Sequence, residues 1–428
     1  MERRSRVLVL ATAAVVLVTA LAGQVLIAGN EPTASAQGTR GPNVAPTPGN
    51  TLISIQSYGE YGRAIEVTPG GEVVWAFDPP DSRVFDAEVL DNRNVLVSVA
   101  TKRPPEECPA TELQVNENEC VQNRVLELDY SSKEVVWKYT WYDERMENHE
   151  VHDADRLPGG GTAIADMGND RAFIVNESGA IVWEWQAENH LSRGTPFYEE
   201  YGGEPDPGGE ADWTHLNDID RLPDGDLQLS IRNFDVVIEV DRESKEITDV
   251  IGQPGNHSYL YEQHDPNRVA GGETILVADS ENDRIVEIDT ETGRVIWEFG
   301  GDGLLTWPRD ADRLPNGNTL IADTQNDRVL EVNPGGEIVW RYRGADFLYS
   351  ADRIGVSEDA GAYPSGRGYE DRVVTDPVGG ALRTLRSYAQ FVVPPWMGSS
   401  EALTTLLLVL TGIGLVVESG REIRHRRT

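Results

Sequence analysis

Short apolar runs punctuated by Gly, Pro, Asn and Asp recur along the chain as one repeating unit. Residues 310–341 read DADRLPNGNTLIADTQNDRVLEVNPGGEIVWR, and residues 153–184 read DADRLPGGGTAIADMGNDRAFIVNESGAIVWE. The stretches 218–239 and 265–298 repeat the pattern, and 86–99 with 124–138 form a copy split by a polar insertion. Each unit holds four apolar runs separated by a Pro-Asn-Gly type turn, an Asn-Asp pair and a Pro-Gly-Gly type turn. These are strand and turn signals of a four-stranded meander, the unit of a propeller blade. Residues 49–76 match only the second to fourth strands, while residues 351–354 (ADRI) look like an orphan first strand. Joining the two gives a sixth blade built from both ends of the repeat region, which closes the ring and removes its open edges. The pattern predicts an all-β fold, a six-bladed β-propeller over residues 44–358.

The flanks differ in kind. Val7–Gly29 is a charge-free run of 23 residues preceded by Arg3, Arg4 and Arg6, about 35 Å as a helix and long enough to span a bilayer. With Ala34-Ser35-Ala36 beyond it, it reads as a signal anchor or a long signal peptide. Ala402–Val417 is a second apolar run, about 24 Å as a helix, followed by Arg421, Arg424, Arg426 and Arg427. It is expected to span, a buried or interfacial helix being the other reading. The organisation expected is an N-terminal transmembrane helix or anchor over 1–29, a linker over 30–43 and the propeller. An irregular linker over 359–400, a C-terminal transmembrane helix over 401–418 and a basic tail over 419–428 follow. Basic residues on the terminal side of each run place both ends in the cytoplasm and the propeller outside, with the lipid bilayer as a partner. Tyr388–Trp396 is an aromatic stretch expected at the membrane surface.

Composition sharpens the picture. The formal charge is −35, with 72 acidic against 37 basic residues, only four of them Lys. Such a surface suits concentrated salt, where the Debye length falls to about 3 Å at 1 M, and a halophilic source is expected. Nothing forms a basic stripe, so nucleic acid is not an expected partner. Cys108 and Cys120 are the only cysteines; outside the cell a disulfide is expected, the alternative being two thiols. No further ligands for a metal lie near them.

Candidate chemistry comes from aligning the blades. The residue just before the Asp that opens each repeat is Phe85, His152, Asn217, His264, Arg309 and, in the orphan strand, Tyr349. First strands line a propeller's channel, so these six converge at one mouth. His215 lies two residues before Asn217, and Arg232 ends the following strand, where other blades place Met167, Ser280 and Thr324. His149, His190 and His257 fall out of register. The Trp at 75, 137, 183, 297 and 340 recurs in the fourth strand as a packing residue.

His152, His215-Leu216-Asn217, Arg232 and His264 resemble the arylsulfotransferase family, in which a six-bladed propeller moves a sulfuryl group between phenols. The resemblance covers the repeat region. It implies that His264 is the sulfated nucleophile, with His152, His215, Asn217 and Arg232 as the other catalytic residues. Small-molecule aryl sulfates and phenols are the implied substrates. The chemistry suits the residues: an imidazole can attack sulfur and hold a covalent intermediate, and cations can stabilise charge on three oxygens. Arg309, placed by the repeat, adds a second cation, and Tyr349 and Phe85 complete the expected substrate-binding set. No cofactor is expected, and no Gly-rich phosphate loop offers a nucleotide site. Two other readings stand beside the enzyme: a cell-surface binding or scaffold propeller, and a zinc-dependent lyase or hydrolase using the histidines.

Overall fold

The computed structural model describes residues 45–57, 61–112, 116, 118–204, 212–301, 303–356, 363–375 and 411. Contacts group the chain into a unit of residues 33–380 and a unit of residues 1–32 and 381–428. The second lies outside the described residues, apart from Thr411 in a helical turn. Both expected membrane spans and the Tyr388–Trp396 stretch therefore lie outside them too. Among the described residues no helix is long and apolar enough to cross a membrane.

Residues 33–380 carry six antiparallel sheets arranged as the repeat predicts. Blade two runs Ser82–Val89, Val95–Arg103, Cys120–Leu128 and Val135–Asp143; blade three, Val151–Arg156, Thr162–Asp166, Arg171–Val175 and Ile181–Gln186. Blade four is Leu216–Arg221, Leu227–Ile231, Val236–Val240 and Ile247–Gly252. Blade five is His264–Val269, Thr274–Asp279, Arg284–Asp289 and Arg294–Gly301; blade six, Asp310–Arg313, Thr319–Asp323, Arg328–Val332 and Ile338–Arg343. Blade one takes its inner strand, Leu348–Arg353, from beyond blade six and adds Thr51–Ile55, Arg63–Val67 and Val73–Phe77. The joining register sets Thr51 opposite Arg353 and Ile53 opposite Ala351, so both ends of the repeat region share one blade.

The repeated polar residues turn out to be the bolts between blades. Four of the five recurring fourth-strand indoles donate to a carbonyl in the following blade: Trp75 to Tyr130 at 2.8 Å, Trp137 to Glu177 at 3.0 Å, Trp183 to Arg242 at 2.9 Å and Trp340 to Pro69 at 2.9 Å. The first-strand Arg reaches back to the third-strand Glu of the preceding blade, as in Arg156–Glu127 (2.8 Å), Arg313–Glu287 (2.6 Å) and Arg353–Glu331 (2.8 Å). These three guanidinium groups also lie over the rings of Trp137, Trp297 and Trp340, at 4.6, 5.0 and 5.2 Å. In three blades the Asp that opens the repeat holds the next blade's inner strand: Asp153 accepts from the Ile219 amide at 2.8 Å, Asp265 from Ala311 at 3.3 Å and Asp310 from Ala351 at 2.5 Å. Beneath these bolts the blade faces bury Val, Ile, Leu and Ala in contiguous clusters.

Two departures from the simple repeat shape the outside. The last three strands of blade two are nine residues long, and a Cys108–Cys120 disulfide closes the turn between two of them. Arg372–Val374, in a stretch where the sequence shows no blade pattern, pairs in parallel with Phe299–Gly301 as a fifth strand of blade five. This three-residue strand is exposed throughout and has no apolar alternation to announce it. The same segment supplies Gly366, whose amide donates to Glu287 at 2.8 Å. A Cβ there would lie 2.6 Å from Glu287 Oε2 and 3.0 Å from Trp297 Cβ, so glycine is needed for the close approach.

Glu287 is thus a hub, accepting from Arg313, Thr274 Oγ1 (2.7 Å) and Gly366 while fully buried. Glu287→Ala strands the Arg313 charge in the interior. Chemical unfolding should show a loss of about 3–5 kcal/mol, and a loss near zero would show that the pair does not bind blades five and six together.

Candidate active site

The six aligned residues meet at one mouth of the channel. Phe85 lies 4.6 Å from His152 and 5.4 Å from Tyr349 between ring centroids; His152 lies 5.1 Å from His215 and 5.6 Å from Tyr349; His264 lies 6.1 Å from Tyr349. Asn217 donates one amide hydrogen to the Gln263 carbonyl at 2.9 Å, beside His264. Arg309 stands over Tyr349 at 4.8 Å. His149, His190 and His257 are elsewhere: His149 binds Glu144, His190 stacks on Trp185 and His257 on Tyr261.

A local device aims the cluster. Two residues before each of Asn217, His264, Arg309 and Tyr349, the backbone turns left-handed, at His215 (φ 47°), Glu262 (φ 49°), Trp307 (φ 50°) and Phe347 (φ 53°). Side chains with a Cβ cost about 1–2 kcal/mol in that conformation, so the surroundings must hold it. The Asp of the preceding blade's Asn-Asp type turn does so. Asp235, Asp283 and Asp327 accept from the amides of Glu262 (3.0 Å), Trp307 (2.8 Å) and Phe347 (2.9 Å), and Asp170 accepts from Thr214 (3.0 Å), one residue before His215.

These left-handed positions form an upper tier that the alignment of single residues does not reveal. Glu262 binds Arg232 directly. Trp307 and Phe347 flank Arg309 at 4.4 and 4.8 Å, and Gln56 accepts from its guanidinium. Asp212 lies 2.8 Å from His215 Nδ1 and 3.9 Å from Arg232. Gln56 and Ser280 occupy the strand-end position of Arg232 in their own blades. The signal that finds them is the same register, read one position further along each strand.

Hydrogen bonding fixes the imidazoles. His264 Nδ1 lies 3.1 Å from the Glu262 carbonyl and His152 Nδ1 3.3 Å from the Glu150 carbonyl. A carbonyl only accepts, so Nδ1 carries the proton in each, and Nε2 keeps its lone pair. Ser280 Oγ, 2.8 Å from His264 Nδ1, donates onward to the Pro308 carbonyl at 2.7 Å and so accepts from the imidazole. In His215 the Asp212 carboxylate plays the carbonyl's part. Burial, then the Arg309 and Arg232 charges, holds His264 well below the usual imidazole range. Burial, then His215 and Arg309, does the same for His152. His215 falls to about 4 through burial and Arg232, against the pull of Asp212. Three neutral imidazoles therefore sit with two guanidinium groups in one buried cup. Tyr349 Oη, with its phenol pushed well above the usual range by burial, has no hydrogen-bond partner among the described residues. No three His, Cys, Asp or Glu side chains among them converge to hold a metal ion.

Sequence comparison now bears on this cup. Residues 152–265 match the Arylsulfotransferase (ASST) family. The matched stretch begins at His152, contains His215, Asn217 and Arg232, and ends one residue past His264. A second family, described as Outer membrane protein assembly factor BamB, matches residues 229–357, overlapping the first. No curated protein matches the chain. Among solved structures, a Bacteroides caccae protein of unknown function is 13% identical, with a TM-score of 0.50, covering 71% of this chain and 98% of its own. The periplasmic gluconolactonase of Pseudomonas aeruginosa is 14% identical, with a TM-score of 0.45 and coverage of 75% and 93%. The virginiamycin B lyase of Staphylococcus aureus is 12% identical, with a TM-score of 0.41 and coverage of 72% and 89%. The first of these structures supports the propeller fold and nothing finer.

The imidazoles give a direct test. Nitrogen-detected NMR at pH 7 should show all three as the Nδ1–H form, with His215 titrating near pH 4. Because the unfolded chain takes up these protons near pH 6.5 and the folded cup refuses them, the cup's contribution to stability falls as pH drops from about 6.5 toward 4. A His215 midpoint near 6.5 would mean that the cup does not bury it as described.

Proposed function

We propose that this protein is an arylsulfotransferase-like enzyme that moves a sulfuryl group from an aryl sulfate to a phenol through a sulfohistidine at His264. The observation that carries the reading is His264 itself. It is neutral, its Nδ1–H is held by Glu262 and Ser280, and its Nε2 lone pair is uncommitted, inside the stretch that matches the family. In the first half-reaction Nε2 attacks sulfur, the S–O bond to the ring breaks, and its electron pair leaves with the phenolate. The imidazole becomes an N-sulfonated cation, and the acceptors at Nδ1 stabilise its charge. Arg232 and Arg309 meet the charge on the sulfuryl oxygens, and Asn217 and His152 border them. In the second half-reaction the acceptor phenol attacks sulfur, the N–S bond breaks, and the phenolic proton passes to His215 Nε2. Asp212 on the far side of that ring stabilises the imidazolium formed, offsetting part of what burial and Arg232 take from His215 as a base. Glu262 pairs with Arg232, so substrate binding exchanges an internal carboxylate for the sulfuryl group. Phe85, Tyr349, Trp307 and Phe347 supply the aromatic wall for the ring.

Loss of the nucleophile removes the covalent route, whereas loss of one oxyanion donor typically costs about 10²–10³ in rate. His264→Ala should abolish both turnover of a chromogenic aryl sulfate and the sulfuryl mass added to the protein by the donor alone. Arg232→Ala and Asn217→Ala should keep a slow reaction and a detectable adduct. The adduct must be sought at neutral or alkaline pH because N-sulfonated imidazole is acid-labile. If the wild type never gains the mass, the display or scaffold reading replaces the enzyme.

The propeller is placed outside the cell with both termini in the cytoplasm, in a halophilic organism. The support is the basic flanks of the two apolar runs and the charge of −35. Protease added to intact cells should remove the propeller, and protection of the propeller with digestion of a C-terminal tag would invert the assignment.

A further inference from the structure

Glu262 stands where the charge of the cup meets its nucleophile. Its backbone is held on both sides: the amide donates to Asp235 at 3.0 Å, and the carbonyl lies 3.1 Å from His264 Nδ1, whose proton it accepts. The left-handed turn (φ 49°) between them carries a carboxylate that pairs with Arg232. The equivalent left-handed positions hold His215, Trp307 and Phe347, so Glu262 is the one carboxylate of the four. Its side chain is 27% exposed, against 15% for Arg232. The carboxylate therefore has a way out to water, while the guanidinium stays in the cup.

Arg232 already meets ample negative charge. Asp212, bound to His215, lies 3.9 Å from it. Glu281 is close enough that burial and then Glu262 push its carboxyl above the usual range, against the pull of Arg232. Arg309 is held differently, by the neutral Gln56 and by the rings of Trp307, Phe347 and Tyr349. Burial, joined by Asp153, Asp218 and Asp265 beneath, pushes the Tyr349 phenol well above its usual range. The two cations thus sit among carboxylates at the side and below. An incoming ester with one negative charge replaces Glu262 one for one. An ester with two leaves the cup a negative charge in excess, in a partly buried space where like charges repel more strongly than in water. Displaced, Glu262 stays within a side chain's length of Arg232 and adds to that repulsion. Sulfate and phosphate esters of one phenol share size and tetrahedral shape, so shape cannot part them. Charge can, because a phosphate monoester loses its second proton near pH 6.

Building on the cup as a site for aryl sulfates, we propose that Glu262 is its specificity-determining residue. Its carboxylate sets the cup to admit a singly charged sulfate ester and to reject the doubly charged phosphate ester of the same phenol.

Binding is the readout, with two unreactive analogues of one shape, 2-naphthalenesulfonate and 2-naphthalenephosphonate. Each is titrated calorimetrically into the full chain at about pH 8.5, where the first carries one charge and the second two. The wild type should bind the sulfonate at least about tenfold more tightly than the phosphonate. Arg232→Ala should weaken the sulfonate at least about tenfold, as the loss of a charge-assisted hydrogen bond in the cup requires. Glu262→Gln should keep the sulfonate bound and shrink the preference at least about fivefold, by strengthening the phosphonate. Glu281→Gln, on an exposed neighbour, should shrink it in the same direction and provides the test should Glu262→Gln disturb the turn. Asp129→Asn, in a surface turn of blade two, removes a charge of the same sign and should leave the preference unchanged. A preference unmoved by both Glu262→Gln and Glu281→Gln would overturn the proposal, as would a wild type that binds the phosphonate as well as the sulfonate. If neither analogue binds, the cup is not an anion site and the proposal falls with it. Selective binding without sulfuryl transfer would leave Glu262 in its role and overturn only the chemistry at His264.

Discussion

The structure depends on the junction between neighbouring blades. An antiparallel blade leaves two edges and two apolar faces open, and neither can be satisfied within the blade. The junctions draw on bolts at three depths, and the one between blades six and one has all of them: a channel carboxylate on the next strand's amide, an Arg–Glu pair midway, and an indole N–H at the rim. Buried charge is tolerable at Arg156, Arg313 and Arg353 because each has both a carboxylate and an aromatic face. At blade five the rim bolt goes elsewhere: Trp297 donates to Glu370 of the added segment, at 3.3 Å. The segment thus stands where the next blade's turn would otherwise be, and it fills the space around Glu287.

The same junctions decide what the cup can do. Its three imidazoles come from three successive blades, so the junctions set the spacing between them. Rigid bolting is what lets left-handed Trp, Phe, Glu and His residues hold their places around the mouth. Directly below lies a tier of carboxylates, Asp86, Asp153, Asp218, Asp265 and Asp310. Burial and their mutual repulsion push Asp218 and Asp310 well above the usual carboxylate range. The channel therefore changes sign over one residue along its wall, cationic at the mouth and acidic beneath. An anion is drawn to the mouth and discouraged from going further.

Much of this was legible in the sequence because repetition exposes register. The Pro-Gly and Asn-Asp punctuation located the strands, and the orphan ADRI segment indicated how the ring closes, since a unit lacking its first strand must borrow one. Phe85, His152, Asn217, His264, Arg309 and Tyr349 could be grouped because equivalent positions on a closed ring converge. Glu262, Trp307 and Phe347 escaped because their importance rests on a left-handed turn, and hydrophobic periodicity carries no sign of φ; Asp212 escaped because its role rests on a contact with His215 that no periodicity marks. The Asn-Asp pairs read as turns, which they are. That their Asp side chains reach the next blade is a tertiary fact. Arg372–Val374 escaped for a plainer reason: a three-residue exposed strand pairs through backbone alone.

Closure by Leu348–Arg353 has a temporal consequence. Until this last inner strand is delivered, blade one has no channel-side strand, and blades one and six both present raw edges. Tyr349 and Phe347 travel on that strand and its lead-in, and they supply two of the three aromatic faces around Arg309. The mouth is therefore completed by the final piece of the ring to leave the ribosome. A partly made chain holds every histidine of the cup but not the wall that dries it, so chemical competence and topological completeness arrive in the same event.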